Sequence, residues 1–420
     1  MGGGPPWAAL AEGGEDHASL AAVEVHDLYQ VMDLVLELEP ELQRRVYHQV
    51  ADLLNLEVDL LFFDTTNIDF CLDEQERTED GEKGFRTYGH SKEKRDDLPL
   101  VVVGLAVTRD GIPVRCWVWP GHTADVSVVS EVKKDLIGWK LGRVVTVVDR
   151  GFTSHENLRT LQTAGGHYIA GEKMRSGQAF TEEALARAGR YRTVRDNVEI
   201  KEIVVGEGEA MRRFVLIRNP AEAARDRRRR NEILVALRKE LRTLAQTSKD
   251  YAAALDRLRS NRRFRCYLTT GRGGEPKVDN AKVRSEERLD GKYLVSTSDD
   301  TLTPEDVALG YRQLLEVKSC FRTLKTSLEI RPVYHRLESR IRAHVVLCWM
   351  ALLLVRLCEE EVGRSWDDIR NVMQRLHVIT YRSADGEAQQ CTELTSDQQQ
   401  ILGSAHVPAP ARLFTLRPTV

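Results

Sequence analysis

Two aspartates of this chain each follow a run of residues that is typical of a buried β-strand. Asp64 follows residues 59–63, Asp-Leu-Leu-Phe-Phe, and Asp149 follows residues 144–148, Val-Val-Thr-Val-Val. An aspartate at a strand end is most often a turn or capping residue, and that interpretation stays open for either one taken alone. Two carboxylates held at strand ends can instead bind divalent metal ions, which offset the repulsion between the acids and support phosphoryl transfer. Asp64 and Asp149 are therefore candidate metal ligands and catalytic residues.

Composition sets broad limits on the class of protein. The chain has a net charge of −3 and 42% hydrophobic residues. Its 420 residues are enough for more than one structural unit. Its seven cysteines show no paired Cys-x2-Cys spacing, which disfavours a zinc site or a disulfide framework and favours a reducing cytoplasm. The most apolar stretch, residues 345–357, is too short to span a bilayer, so we predict a buried helix and no membrane partner.

The order of predicted elements gives the two aspartates a common framework. Strands are predicted at residues 59–64, 100–107, 114–119, 144–149 and 167–170, and helices at residues 126–136 and 154–164. Arg109-Asp110-Gly111 predicts a tight hairpin turn between the second and third strands, and Asp125 is a plausible helix cap. Three strands, helix, strand, helix, strand is the order found in ribonuclease-H-like nucleases and integrases. We therefore expect an α/β fold: a ribonuclease-H-like mixed sheet flanked by helices, with an inserted β-rich subdomain and C-terminal helices.

The predicted domain organisation follows from changes in pattern along the chain. In order, we predict a disordered start (1–23), a helical segment broken at Pro40 (24–56), the first part of the core (57–170), a β-rich insertion with a long basic helix over residues 221–262 (171–302), helices completing the core (303–380) and a tail with little pattern (381–420). The Arg run 227–230 within the basic helix is open to two interpretations, a solvated helix face or a phosphate contact.

Several motifs together resemble a known family. The resemblance rests on Phe63-Asp64-Thr65-Thr66, Val148-Asp149-Arg150-Gly151-Phe152, Phe321-Arg322-Thr323-Leu324-Lys325, Arg331-Pro332-Val333-Tyr334-His335 and Arg340-Ile341-Arg342-Ala343-His344. These motifs are similar to those of the DDE transposases of bacterial insertion sequences, in the group whose core is split by a β-rich insertion before the third acid. The resemblance covers roughly residues 25–380, with the motifs in the family's order.

The resemblance implies a function and its partners. It implies an enzyme that cuts and joins double-stranded DNA at transposon ends and target, using Mg²⁺, or Mn²⁺ in its place, held by three carboxylates that include Asp64 and Asp149. It further implies a homodimer assembled on DNA and a cytoplasmic location. DNA-binding residues implied by the family motifs are Tyr311, Arg322, Lys325, Arg331, Arg340, Arg342 and Arg150. A solvated pair of helices is the alternative interpretation of this basic cluster, and Lys92 and Arg95 are weaker candidates.

The third acid of the family is replaced in this chain. The family's signature is Tyr-x2-Arg-x3-Glu-x6-Lys, and counting back from Lys325 places Tyr311 at the Tyr position, Leu314 at the Arg position and Lys318 at the Glu position. Glu316 is a weak substitute, because two residues on a helix turn the side chain by about 200°. An ammonium at position 318 cannot coordinate a cation and would repel Mg²⁺. The alternative function is therefore a catalytically dead DNA-binding or oligomerising relic, and the chain is expected to be N-terminally shortened relative to the family.

Overall fold

The computed structural model describes residues 24–54, 59–138, 144–207, 211–246, 251–271, 274–383 and 386–418. The predicted disordered start at residues 1–23 lies outside these ranges. The chain divides into two compact units. The first combines Met1–Val128 with Leu315–Val420, and the second is Val129–Leu314.

Both helices and strands are present in the described part of the chain. The helices are α1 (Val25–Leu54), α2 (Asp125–Gly138), α3 (His155–Leu161), α4 (Ala179–Ala186), α5 (Pro220–Gln246), α6 (Tyr251–Ser260), α7 (Asn280–Glu287), α8 (Pro304–Thr326), α9 (Glu338–Val362), α10 (Trp366–Met373) and α11 (Ser396–Ser404). The strands are β1 (Asp59–Asp69), β2 (Leu100–Val107), β3 (Pro113–Pro120), β4 (Val144–Val148), β5 (His167–Gly171), β6 (Arg192–Arg195), β7 (Val198–Val205), β8 (Arg212–Arg218), β9 (Leu268–Thr270), β10 (Pro276–Val278), β11 (Lys292–Thr297), β12 (Val378–Ser383), β13 (Gly386–Cys391) and β14 (Leu413–Pro418).

In the first unit, β1, β2 and β3 form an antiparallel meander. Asp64 pairs with Leu105 on β2, and Gly104 on β2 pairs with Trp117 on β3. The hairpin turn predicted between β2 and β3 is present, with Gly111 at a φ of 79°, a conformation that glycine adopts without strain. Trp117 and Trp119 are buried and stacked on one another.

Helix α9 contains the predicted apolar stretch and packs on α1 and β3. Within the described residues it is the one helix long and apolar enough to cross a membrane. Its side chains Ile341, Val345, Trp349 and Leu352 are buried in the first unit. A buried apolar face of this kind is typical of a core helix, as the sequence predicted.

In the second unit, one strand pair is parallel and the others are antiparallel. Strand β4 runs parallel to β5, and β5 continues through β11, β8 and β7 to β6 by antiparallel pairing. Helices α5 and α6 pack on each other around an apolar cluster that includes Leu237 and Leu258. The chain order of three antiparallel strands, helix, strand, helix and parallel strand confirms the expected mixed α/β fold.

Helix α1 corrects the predicted break at Pro40. The helix is continuous, although an interior proline removes one backbone hydrogen bond and costs about 3 kcal/mol. Contacts on both sides of the proline hold the helix against β3: Arg115 donates to Glu39 at 2.9 Å, and the Cys116 amide donates to Gln43 at 2.8 Å. Tertiary packing therefore outweighs the low helix propensity of proline at this position.

Three other element predictions need correction. The strand predicted at residues 59–64 continues to Asp69, so Asp64 lies in mid-strand and Asp69 is a strand residue rather than a loop residue. The basic helix predicted over 221–262 is two helices, α5 and α6. The predicted tail 381–420 contains a helix and most of a three-stranded sheet, in which β13 pairs with both β12 and β14.

Candidate active site

Asp64 is a buried carboxylate in the middle of β1. Only 9% of the residue is exposed, and its Oδ1 accepts a hydrogen bond from the Thr65 amide at 2.8 Å. The polar residues that follow it, Thr65, Thr66 and Asn67, are also buried. They can stay in a buried strand because their backbones pair with β2 and because Thr65 and Asn67 have side-chain partners.

The ammonium of Lys92 lies between Asp64 and a second carboxylate, Asp125. Its Nζ is 3.8 Å from Asp64 Oδ1 and 3.3 Å from Asp125 Oδ2, and it donates to the Thr65 carbonyl oxygen at 2.7 Å. The Thr65 hydroxyl donates to Asp125 Oδ1 at 2.5 Å. We call Asp64, Thr65, Lys92 and Asp125 the first-acid cluster. Within it, a built-in cation is positioned to offset the repulsion between two carboxylates.

Asp149 lies in the second unit, directly after β4. Its Oδ1 accepts from the Arg150 amide at 2.7 Å and from the Tyr311 hydroxyl at 3.2 Å. Burial, together with the neighbouring Asp149 carboxylate, raises the pKa of Tyr311 above its ordinary value, so the phenol stays a hydrogen-bond donor. A Cβ on Gly171 would lie 2.1 Å from the Tyr311 oxygen, so the glycine leaves the space that this contact needs. The structure thus places Tyr311, predicted as a DNA contact, at Asp149.

Helix α8 carries the third-acid position in the first unit. Lys318 is exposed, whereas Glu316 is half-buried beside the β2–β3 turn, where its Oε2 would lie 3.4 Å from a Cβ added to Gly111. Glu316 also lines a cleft with Arg109, Asp110, Arg356, Glu359 and Glu360. Glu316 therefore lies at the hairpin turn, among these charged side chains.

The predicted DNA-binding cluster between Arg322 and Arg342 is largely engaged inside the first unit. Lys325 and Arg331 both bind Glu93, at 2.7 and 2.5 Å. Burial opposes ionisation of Glu93, but the hydrogen bonds and charges of these two residues outweigh it and lower its pKa. Arg340 forms a bidentate pair with Asp33 of α1.

Two further members of the cluster, Arg342 and Arg322, differ in their contacts within the fold. Arg342 binds Glu338 and donates to the Val118 carbonyl oxygen at 2.6 Å. Arg322 is exposed and donates a 3.4 Å hydrogen bond to the Ser319 hydroxyl oxygen. Arg150, beside Asp149, is also exposed, with its Nε 3.9 Å from the carboxylate. Most of these cations therefore have a role within the fold.

Sequence reasoning missed two acids of these surroundings. Asp125 was interpreted as a cap, but it is the first residue of α2 and binds Thr65 and Lys92. Glu93 was not predicted as a site residue, although it accepts hydrogen bonds from both Lys325 and Arg331. The charged run Lys92-Glu93-Lys94-Arg95 was the available signal for both, because such a loop has to find partners for its charges.

The donor set for a divalent metal is incomplete. Among the described residues, no group of three or more His, Cys, Asp or Glu side chains could hold a metal ion. Carboxylate oxygens are the ligands that Mg²⁺ prefers, so Asp64 and Asp149 each suit the role, and Lys318 does not. The residues present thus fit two of the three positions implied by the family.

The family is shown by comparison with known proteins. The sequence model of the transposase DDE domain matches residues 59–354, and the chain therefore belongs to the transposase DDE domain family. No curated protein matches the sequence significantly. A solved structure that the chain is similar to is piggyBac transposase in a synaptic complex with hairpin DNA, at 10% sequence identity and a TM-score of 0.37. That match covers 82% of this chain and 51% of the other, so the chain spans about half of that protein, and a likeness this distant supports no conclusion.

Proposed function

We propose that this protein is the transposase of an insertion sequence, acting on double-stranded DNA by phosphoryl transfer, with Asp64 and Asp149 as its catalytic acids. The observation that carries the proposal is the membership of residues 59–354 in the transposase DDE domain family, with both acids at strands of that region. The DNA ends and the target are the proposed partners, a homodimer assembled on DNA is the proposed active form, and the cytoplasm is the proposed location.

Each acid has neighbours that hold it in place while no metal is bound. Thr65 donates to Asp64 through its amide, and Lys92 limits the repulsion between Asp64 and Asp125. Tyr311 donates to Asp149 and orients one of its oxygens. Bound at Asp64 and Asp149, Mg²⁺ or Mn²⁺ would supply activation of the attacking oxygen and stabilisation of the leaving oxygen. That the two acids share this role stays a prediction.

A second function is favoured by one observation, Lys318. A lysine where the family has a glutamate leaves the site one carboxylate short and adds a positive charge where a cation would bind. A protein with this change could still bind DNA or its own kind while failing to cut. The second candidate is therefore a catalytically inactive, DNA-binding or oligomerising relic of a transposase.

Cleavage of a labelled DNA duplex that carries the inverted repeats flanking the gene separates the two candidates. The assay compares the wild type, Lys318→Glu and Lys318→Gln in Mg²⁺ or Mn²⁺. All three proteins should bind the duplex under either candidate. Cleavage by the wild type supports the active transposase, whereas cleavage by Lys318→Glu alone supports the relic, because only glutamate both removes the ammonium and restores a carboxylate. Lys318→Gln is the matched control, since it removes the ammonium without adding a ligand. Adding Asp64→Asn to Lys318→Glu should abolish the cut.

Each other result has a definite meaning. Cleavage by the wild type that survives Glu316→Ala would show that the site needs no acid from α8, and cleavage lost in Glu316→Ala would make Glu316 the third ligand. Binding without cleavage by any variant would favour the relic. Absence of binding by all three proteins would contradict both candidates.

A further inference from the structure

Positive charge is concentrated in one part of the second unit. Residues 220–265 contain fourteen Lys and Arg against six Asp and Glu, a net charge of +8. The whole chain carries −3, so the remaining residues carry −11. A local excess of this size in an acidic protein points to a partner with many negative charges.

Helix α5 separates its apolar and basic residues onto opposite faces. Ile233, Leu234, Leu237 and Leu244 are buried and pack with Leu258 of α6. At 100° per residue, the opposite side of the helix presents five cations within an arc of about 120°. We call these residues the α5 basic face: Arg227, Arg228, Arg238, Lys239 and Arg242. The apolar contacts fix the helix in the fold and leave this face to solvent.

The fold itself makes no use of the α5 basic face. All five side chains are exposed, and no ion pair within 4 Å joins any of them to an acid in the described part of the chain. Arg230 is the contrast in the same run, because it is buried and paired with Asp290 and Glu287. Like charges at spacings of three and four residues, such as Lys239 and Arg242 or Arg238 and Arg242, destabilise a helix. An external polyanion would remove that repulsion.

We propose that the α5 basic face binds the phosphate backbone of double-stranded DNA without regard to sequence. The identity of the polyanion rests on the proposed function, whereas the surface follows from exposure and charge alone. From Arg227 to Arg242 the face extends about 22 Å at 1.5 Å per residue. That length exceeds the width of the major groove of B-DNA, about 12 Å, so the face can reach phosphates on both of its sides. In contrast to Lys325, Arg331 and Arg340, its cations have no acidic partner among the described residues to give up on binding DNA.

The test is binding of the full chain to a duplex of random sequence, about 30 base pairs long, at several salt concentrations without metal. The variant Arg228→Gln/Lys239→Gln/Arg242→Gln removes three charges from the face. Each lost phosphate contact lowers the slope of log affinity against log salt by about 0.9, so we expect a slope smaller by about 2 to 3. Affinity at about 0.1 M salt should fall at least tenfold. Circular dichroism and thermal unfolding establish that the variant is folded.

Matched variants separate this face from the effect of overall charge. Arg44→Gln/Arg45→Gln/Lys83→Gln removes three exposed charges from the first unit and should leave the slope within about 1 of the wild type. Arg228→Lys/Arg242→Lys keeps the charges and should keep the affinity, because phosphate contact needs only a cation. An equal loss in both triple variants, an unchanged slope in the α5 variant, or tighter binding to single-stranded DNA or RNA than to duplex would overturn the proposal. Because no cleavage is measured, inactivity at Asp64 and Asp149 leaves this test unaffected.

Discussion

Replacing Lys92 with methionine tests the physical role of the first-acid cluster. The change removes the ammonium and keeps most of the side-chain volume. The two charge–charge distances, 3.3 Å to Asp125 and 3.8 Å to Asp64, correspond to gross attractions of about 5 and about 4 kcal/mol at an effective dielectric constant near 20. Removing the ammonium from water opposes most of this attraction, and hydrogen bonds to charged groups contribute about 1.5–3 kcal/mol net.

We therefore expect Lys92→Met to lower the free energy of unfolding by about 2 kcal/mol in metal-free buffer. The two carboxylates lose their shared counter-ion and repel each other, so Mg²⁺ should stabilise the variant more than the wild type. Saturation at one hundred times the dissociation constant stabilises by about 2.7 kcal/mol. Denaturant unfolding with EDTA and with Mg²⁺ measures both effects. Lys83→Met, in the same long loop and exposed, is the control and should change neither.

A double variant makes the test quantitative. Asp125→Asn removes one of the two repelling charges, so adding it to Lys92→Met should destabilise by less than the sum of the two single changes. The expected coupling between the two positions is about 1.5–3 kcal/mol. A coupling below about 0.5 kcal/mol, or equal Mg²⁺ responses in wild type and Lys92→Met, would refute the view that this ammonium offsets the carboxylate repulsion.

Three further changes have outcomes set by single contacts. Gly171→Ala places a methyl group on the Tyr311 hydroxyl and should cost about 1–3 kcal/mol in denaturant unfolding. Gly403→Ala, with open space around it in the last turn of α11, should not destabilise, because alanine favours a helix over glycine; equal effects would contradict the contact. Arg340→Ala should lower stability by about 1–2 kcal/mol and leave DNA affinity unchanged, because its side chain serves a pair within the first unit; a selective loss of DNA binding would contradict this. Burial raises the pKa of Cys320 to about 11 from an ordinary 9.0. The contribution of its neutral thiol to the free energy of unfolding is therefore complete below pH 9 and is lost as the pH rises towards 11. Cys320→Ala should flatten that part of the stability–pH curve.

The sequence by itself determined the features that depend on short-range pattern. Strand β2 was predicted with its observed bounds because eight consecutive apolar residues next to a turn can only be buried. The hairpin at Gly111 followed from a residue type with a known backbone preference. Counting residues back from Lys325 was enough to place Lys318 at the Glu position of the family signature. These signals are local, so a linear sequence contains all of them.

The tertiary structure alone decided which charges meet. Arg340 pairs with Asp33, 307 residues earlier in the chain, and no periodicity in either segment indicates this partner. Lys92 reaches Asp64 and Asp125 because a loop, a strand and a helix start converge, and the same packing keeps α1 continuous through Pro40. Ion pairs depend on distances of a few ångströms between segments remote in sequence, and only the packed core sets such distances. For that reason the sequence predicted the acids and the cations of the candidate site, but not their pairing. In the fold, most of the predicted DNA-binding cations pair with acids of this chain, whereas the α5 basic face stays exposed.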